Sequence, residues 1–345
     1  MMKKYWLVFV AMVFLSVSMF GATDVQSKSI ELRFNYSMPA KKGPGGGWEW
    51  FGEELAKRSG GRVKVTYFPL GALFKIRTAI ENIMAGTADI TNLSIRTFAK
   101  RFPLLSVTLL PTITWPDNLA GTMASSRAIM KIIDEFPGLQ KELKDFKVLW
   151  ITQLTAYNLI SKKPVHKPSD FKGLKIGAGG IQGQFITQQG GSGIALVPPK
   201  SYLSLKTGVV DGMIMSWNAM GIYKLWEVAK HVNEVTMGRV PLPIVMNNDS
   251  WNSLSPDLQK MVMKVGDESL RVSITDMYKG TVRGRKKMIA GGTKVFTPTP
   301  QQEAVWTNAF APLESQWLAA RKKQGFSEAP WLLKRYKELA AAASK

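Results

Sequence analysis

Along the first third of the chain the apolar positions change period, from two to about 3.6 and back, and this limits the fold more than any other feature. Ile30-Glu31-Leu32-Arg33-Phe34-Asn35-Tyr36 alternates apolar and polar residues as a strand does. After the loop Gly43-Pro44-Gly45-Gly46-Gly47, Trp48, Phe51 and Leu55 fall at i, i+3 and i+7, on one face of a helix that Ser59-Gly60-Gly61 stops. Arg62 to Phe68 reads as a second strand, Ile76 to Ala85 as a helix with Ile76, Ile80, Ile83 and Met84 on one face, and Ala88 to Leu93 as a third strand. A strand–helix–strand–helix–strand order predicts a parallel, doubly wound α/β sheet.

The pattern then repeats with different spacing. Asp117 to Leu143 is helix-rich, and Lys147–Thr152 and Tyr157–Ser161 read as strands, the second a crossover. Leu174–Ile176, a helix over Ile181–Gln189, Ile194–Val197, a short helix over Ser201–Lys206 and Val209–Met215 form a second α/β unit. Pro241–Met246 is extended. Ser255-Pro256 opens a long helix to about Ile289, proline being tolerated in a first turn. Ala304–Lys323 and Trp331–Ala343 complete the helices. The chain therefore reads as two α/β lobes joined by extended crossovers.

Charge alone leaves several partners open. There are 46 Lys+Arg against 25 Asp+Glu, a formal net charge of +21, which suits nucleic acid, an acidic surface or captured anions. The N-terminus narrows this. Met1-Met2-Lys3-Lys4, an apolar run Tyr5–Phe20 and Gly21-Ala22 resemble a secretory signal peptide over residues 1–22. The run is about 16 residues, short of the roughly 20 that span a bilayer. An exported chain is expected in the periplasm and is not expected to bind nucleic acid.

Catalytic and metal chemistry is sparse. No cysteine is present, which excludes thiol catalysis and Cys-ligated clusters. The two histidines, His166 in a Pro-bounded loop and His231 at an expected helix end, sit in no nucleophile or metal motif. Gly190-Gly191-Ser192-Gly193 lacks the final glycine of a nucleophile elbow, since Ile194 follows. Gly177-Ala178-Gly179-Gly180-Ile181-Gln182-Gly183 misses the dinucleotide spacing by one residue, and reads as a tight strand-to-helix turn with backbone N–H groups open to an anion. No catalytic residue, cofactor or metal is therefore expected. Lys279, Arg283, Arg285, Lys286 and Lys287 form a basic helical face, solvated or docked on an acidic surface. Trp251, Trp306, Trp317 and Trp331 are expected in the core, while Trp217, just past a strand's carboxyl end, is placed where α/β sheets hold ligands.

The order of short motifs resembles the DctP-type substrate-binding proteins of TRAP (tripartite ATP-independent periplasmic) transporters. The segments are Ser59-Gly60-Gly61-Arg62-Val63; Tyr67-Phe68-Pro69-Leu70-Gly71-Ala72-Leu73; Met84-Ala85-Gly86-Thr87-Ala88-Asp89-Ile90; Lys162-Lys163-Pro164-Val165 with Pro168 to Ile176; and Tyr202 to Gly212. The resemblance covers essentially all of the chain after residue 22. It implies a two-lobe periplasmic binding fold, each lobe a β-sheet flanked by helices, closing on a small molecule between lobes and delivering it to TRAP membrane subunits. It implies lobe I over 23–154 plus 243–282, lobe II over 155–242 plus 283–345, and no catalysis.

One departure shapes the site. Where the family reads "GLKiR", with the arginine pairing a substrate carboxylate, this chain reads Gly173-Leu174-Lys175-Ile176-Gly177. A second arginine of the family is also missing around Thr155-Ala156-Tyr157-Asn158, and its asparagine falls near Met215, with Asn218 three residues on. The candidate ligand-binding residues are Tyr36, Ser37, Lys75, Asn92, Leu93, Tyr157, Asn158, Gly177, Gly179, Pro198, Met215, Trp217 and Asn218. Three ligand readings stay open. A neutral or apolar solute would lie against Tyr36, Tyr157, Pro198, Met215 and Trp217. An anion would be held by Lys75, Arg96 or the N–H groups after Gly177. A third possibility is no small molecule at all. An exported basic surface-binding protein and an exported enzyme are the alternatives to solute binding.

Overall fold

The computed structural model describes residues 29–40 and 47–344. The expected signal segment 1–22 and most of the glycine loop 43–47 lie outside the described residues.

Among the described residues the chain builds two mixed sheets. The first has the order β2-β1-β3-β10-β4, from β1 (Ile30–Asn35), β2 (Val63–Phe68), β3 (Ile90–Asn92), β4 (Phe146–Gln153) and β10 (Pro241–Asn247). β1 runs parallel to β2 and β3, as the period switching predicts. The sheet is not wholly parallel, however. β10 arrives from far along the chain and pairs antiparallel with β3 and with β4, bulging between Ile244 and Val245. Its seven residues are all buried, so it shows no alternation that could reveal its two neighbours.

The second sheet has the order β11-β9-β5-β8-β6-β7, from β5 (Asn158–Ser161), β6 (Lys175–Gly177), β7 (Ser192–Ile194), β8 (Gly212–Met215), β9 (His231–Asn233) and β11 (Lys294–Phe296). β7 lies earlier than the expected Ile194–Val197. Gly193 allows this: a Cβ there would sit 2.6 Å from the Cα of Gly183 on α5 (Gly180–Gln188), so helix and strand meet backbone to backbone. His231 lies on a strand, not at a helix end. It pairs with Ser161 and Lys294 because the 3-10 turn Leu225–Glu227 ends early enough for the chain to re-enter the sheet.

Helices cover both sheets. α1 (Glu49–Arg58) buries Phe51, Gly52 and Leu55. Gly52 is required because a Cβ would meet the Tyr67 hydroxyl at 2.3 Å. α2 (Ala79–Met84), α3 (Leu119–Glu135) and α4 (Pro137–Leu143) follow. The second layer adds α6 (Ser201–Lys206) and α7 (Trp217–Ile222), and α8 (Asn248–Asn252) follows β10. α9 (Pro256–Ala290), with proline in its first turn, is about 50 Å long at 1.5 Å per residue and packs on α1 and β4 at one end and α7 at the other. The expected single helix Ala304–Lys323 is two, α10 (Pro300–Phe310) and α11 (Pro312–Lys323), because Pro312 cannot donate to an ongoing helix. α12 (Ala329–Ala343) ends the fold.

The terminal helices divide between the layers. Trp306 and Phe310 of α10 pack on Phe171 and Phe185 in the second layer. α12 rests on α3, with Arg335 Nε 2.8 Å from Glu135 Oε2, and Trp317 of α11 donates to Ser106 Oγ at 2.8 Å. The stretch assigned to lobe II by resemblance thus straddles both layers. Trp306 and Trp317 are buried, as expected of core residues, while Trp251 is only half-buried and packs at the edge of the core. Trp331 is not: it is 67% exposed, with Lys334 Nζ 5.7 Å from its ring centre, on the solvent side of α12 while Leu332, Leu333 and Tyr336 face inward.

Candidate functional site

Two extended segments join the sheets: Leu154–Tyr157, leading from β4 into β5, and residues 234–240, leading from β9 into β10. They are bonded to each other. Leu154 N donates to Val240 O at 3.0 Å, Tyr157 N to Gly238 O at 3.0 Å and Met237 N to Tyr157 O at 2.8 Å. Arg239, 2% exposed, fixes this pair to the first lobe. Its guanidinium donates to Thr122 Oγ1 (3.0 Å), Pro116 O (3.1 Å) and Leu154 O (3.5 Å), and Asp117 is its ion partner at 3.3 Å. Burial pushes its pKa down and Asp117 only partly restores it. The signal for Arg239 was available: it is the one charge in the apolar run Val235–Met246.

At the mouth of this double strand, Arg96 and Tyr157 meet. Arg96 follows β3, and its guanidinium carbon lies 5.2 Å from the centre of the Tyr157 ring. Tyr157 is buried, and desolvation raises its phenol while Arg96 draws it back. Burial raises the phenol of Tyr223, just past α7, and the nearby Tyr157 raises it further. Arg96 is half-buried and, among the described residues, has no hydrogen-bond or ion-pair partner. A first-layer cation thus sits beside aromatic surface from the crossover.

The remaining candidates are less available than their positions suggest. Tyr36 is 2% exposed, packs edge-on to Trp48 at 5.4 Å and gives its hydroxyl to Glu49; burial, and then Glu49, push its pKa up. Ser37 and Asn92 hold each other across the ends of β1 and β3: Ser37 N donates to Asn92 Oδ1 at 2.9 Å, and Asn92 Nδ2 to Ser37 Oγ at 3.2 Å. Leu93 is fully buried. Lys75 caps its own turn, donating to Leu70 O at 3.2 Å and Gly71 O at 2.8 Å. Asn158 donates to Glu234 O at 2.9 Å, and its buried Oδ1 has no partner among the described residues.

In the second layer, Met215 and Trp217 (1% and 3% exposed) belong to a methionine-rich cluster with Met213, Met220, Trp226 and Met288. Trp217 is covered by Arg285, whose guanidinium lies 5.6 Å over the ring and pairs with Glu234 at 2.8 Å. Two members of the basic face on α9 are therefore engaged, since Lys287 Nζ also lies 5.1 Å over Trp226. Asn218 lies against Gly280, where a Cβ would come within 2.3 Å of its Oδ1. Gly177 ends β6, and Met213 fills the space a side chain would need: a Cβ at 177 would meet Met213 Sδ at 1.9 Å. Gly179 caps α5 and lines a shallow groove of about 440 Å³ that follows this helix to Gln188. Pro198, itself half-buried, opens a 3-10 turn whose other two residues are exposed.

Nothing in these arrangements resembles an enzyme's acid–base pair. Asp170 accepts from the backbone N–H of His166, not from its ring. Among the described residues no three His, Asp or Glu side chains gather as metal ligands, and no helix is long and apolar enough to cross a membrane.

A family model described as "bacterial extracellular solute-binding protein, family 7" (DctP) matches residues 34–320. An uncharacterized protein of Haemophilus influenzae is 27% identical over 267 residues, covering 74% of this chain and 78% of its own. The C4-dicarboxylate-binding periplasmic protein DctP of Rhodobacter capsulatus is 24% identical, covering 84% and 87%. Among solved structures, a TRAP periplasmic solute-binding protein of Desulfovibrio salexigens, in an open complex, is similar at 25% identity with a TM-score of 0.77 over 90% of this chain and 96% of that one. A TRAP solute-binding protein of Rhodoferax ferrireducens, with copurified benzoate, superposes with a TM-score of 0.81 at 22% identity over 92% and 99%. One from Bordetella bronchiseptica, with bound mandelate, gives 0.79 at 22% over 91% and 99%.

Proposed function

Because the chain belongs to family 7 of the bacterial extracellular solute-binding proteins, we propose that it captures a small organic carboxylate between its two lobes, with Arg96 as the anion's partner, and delivers it to TRAP membrane subunits. As a member of that family it is a binding protein and not an enzyme. The observation that carries the ligand reading is the unpaired guanidinium of Arg96 beside the ring of Tyr157. A half-buried guanidinium without a counter-charge is poorly solvated, and a carboxylate matches its fork geometrically and electrostatically. Gly177 stands where the family's anchoring arginine is expected, so in this reading the anchor moves from lobe II to the loop after β3. Tyr157 and Tyr223 supply aromatic wall, which suits a ring-bearing acid such as the benzoate or mandelate of the related proteins. Lobe I is assigned to 23–154 plus 243–282 and lobe II to 155–242 plus 283–345, with α11 and α12 of the last stretch resting on the first layer, and the hinge is placed at the paired crossovers. Residues 1–22 direct the chain to the periplasm.

The test compares acids with uncharged isosteres. Benzoate should raise the melting temperature by mass action, benzamide should not, and Arg96→Met should abolish the benzoate shift while leaving the unliganded melting temperature unchanged. A charge-assisted hydrogen bond of about 1.5–3 kcal/mol corresponds to roughly 10- to 150-fold in affinity. Equal stabilisation by acid and amide, in wild type and variant alike, would replace the carboxylate reading with that of a neutral solute.

A further inference from the structure

The second layer contains a cavity of about 300 Å³ at the end of β5 opposite the Leu154–Tyr157 crossover. β5 enters its sheet from the crossover at Asn158 and reaches this cavity only with its last residue, Ser161. The chain has two histidines, and both line the cavity, together with Lys294 and Phe296. Three segments deliver the basic groups. His166 comes from the loop before Pro168, with its ring stacked on Phe296 at 4.4 Å. Trp306 Nε1 fixes that loop by donating to His166 O at 3.2 Å. His231 opens β9, and Lys294 opens β11 directly beside it in parallel register, so both side chains emerge on the same face.

Among the described residues no carboxylate lines the cavity. The acids on adjoining segments are engaged: Asp170 accepts from the backbone N–H groups of His166 (2.8 Å) and Lys167 (3.1 Å), and Glu234 is held by Arg285 and Thr297. Lys163 and Lys167 flank the His166 loop, and Lys230 is turned to Gly291 O at 3.0 Å. Asn233 is a wall rather than a ligand, since its amide already donates to Val165 O and accepts from Val235 N.

We propose that this cavity is a second binding site, for a small oxyanion of the phosphate type, held by His166, His231 and Lys294 and separate from the solute cleft. Three convergent cationic or protonatable groups without an acid favour an anion and repel a metal ion, for which two imidazoles beside an ammonium are a poor ligand set. Burial, and then Lys294 and His166, hold the His231 imidazole below its usual range. A bound anion reverses that balance, so binding takes up a proton and tightens as pH falls through the imidazole range.

The two-histidine composition makes the test clean, because imidazole NMR signals of the purified protein arise from these rings alone. Inorganic phosphate, glycerol 3-phosphate and, as control, sodium chloride of matched ionic strength are titrated in turn. The expected result is a saturable shift of both ring signals with phosphate, a rise in the His231 midpoint, and affinity about tenfold weaker one to two pH units above it. Response to both phosphates assigns a phosphomonoester site, and response to inorganic phosphate alone a free dianion. His231→Gln and Lys294→Gln should each remove saturation while leaving the melting temperature unchanged. The proposal is overturned by shifts no larger than those with chloride, by binding that survives both substitutions, or by saturation with zinc and not with phosphate.

Discussion

Replacing Arg239 by methionine should destabilise the protein by about 3 kcal/mol. The side chain is 2% exposed, and its guanidinium is the donor for Thr122 Oγ1, Pro116 O and Leu154 O. Methionine fills similar volume but donates nothing, so these acceptors lose their partner in a site that excludes water. Each buried, unsatisfied polar group costs about 1–3 kcal/mol, while breaking a buried ion pair costs about 3–5 kcal/mol. The lower end applies for two reasons. Asp117 is 50% exposed and rehydrates when its partner leaves, and Arg239 Nε has no partner among the described residues, so its desolvation is relieved by the substitution. Urea unfolding gives the free energy directly. The melting temperature should drop by roughly 6 °C, at about 2 °C per kcal/mol for a chain of this size. The companion variants are Arg239→Lys, which keeps charge but not the fork, and Asp117→Asn with its double mutant. Lysine should recover less than half of the loss, and the Arg239–Asp117 coupling should be below about 1 kcal/mol because Asp117 is half in water. A methionine variant within 0.5 kcal/mol of wild type, or full recovery by lysine, would refute the assignment of Arg239 as the tie between crossovers and first lobe.

Two further substitutions follow from burial. Glu142 is 6% exposed and accepts from the N–H groups of Leu104 and Leu105, and burial outweighs these bonds and raises its pKa from 4.5 to about 7. The folded form thus holds a proton the unfolded chain releases, so this group's contribution is complete below pH 4.5 and is lost as pH rises to about 7. Urea midpoints should fall across that window for wild type, and the decline should be absent in Glu142→Gln. Trp217→Ala should cost about 3–5 kcal/mol, as large-to-small changes in a packed core do; an unchanged urea midpoint together with weaker solute binding would instead return Trp217 to the cleft wall.

Legibility differed between elements for identifiable reasons. β1, α1, β2 and the α9 start were readable because their periods and stop signals are local: alternation in Ile30–Asn35, Gly60-Gly61 after α1, Ser255-Pro256 before α9. Trp331 was misplaced because a large apolar residue carries no sign of which side of α12 it faces. In the sequence His231 reads as a helix end, because Val-Asn after Lys-His is too short a strand to show alternation. In the sequence Arg96 is one cation among several. Lys75 is capped locally, by Leu70 O and Gly71 O, whereas the lack of a partner for Arg96 among the described residues depends on where groups distant in the chain come to rest.

The sequence by itself determined the class of protein. The period switching and ordered motifs specify two α/β units, and the absence of cysteine with isolated histidines removes most catalytic chemistry. These properties are local or compositional, so no folding is needed to read them. Tertiary structure decided which strands share a sheet and which polar groups are spent. β10 enters between β3 and β4, Tyr36 gives its hydroxyl to Glu49, Trp217 sinks under Arg285, and the two histidines meet around one cavity. A side chain's availability is set by partners distant in the chain, and those are fixed only when burial forces every polar group to find one.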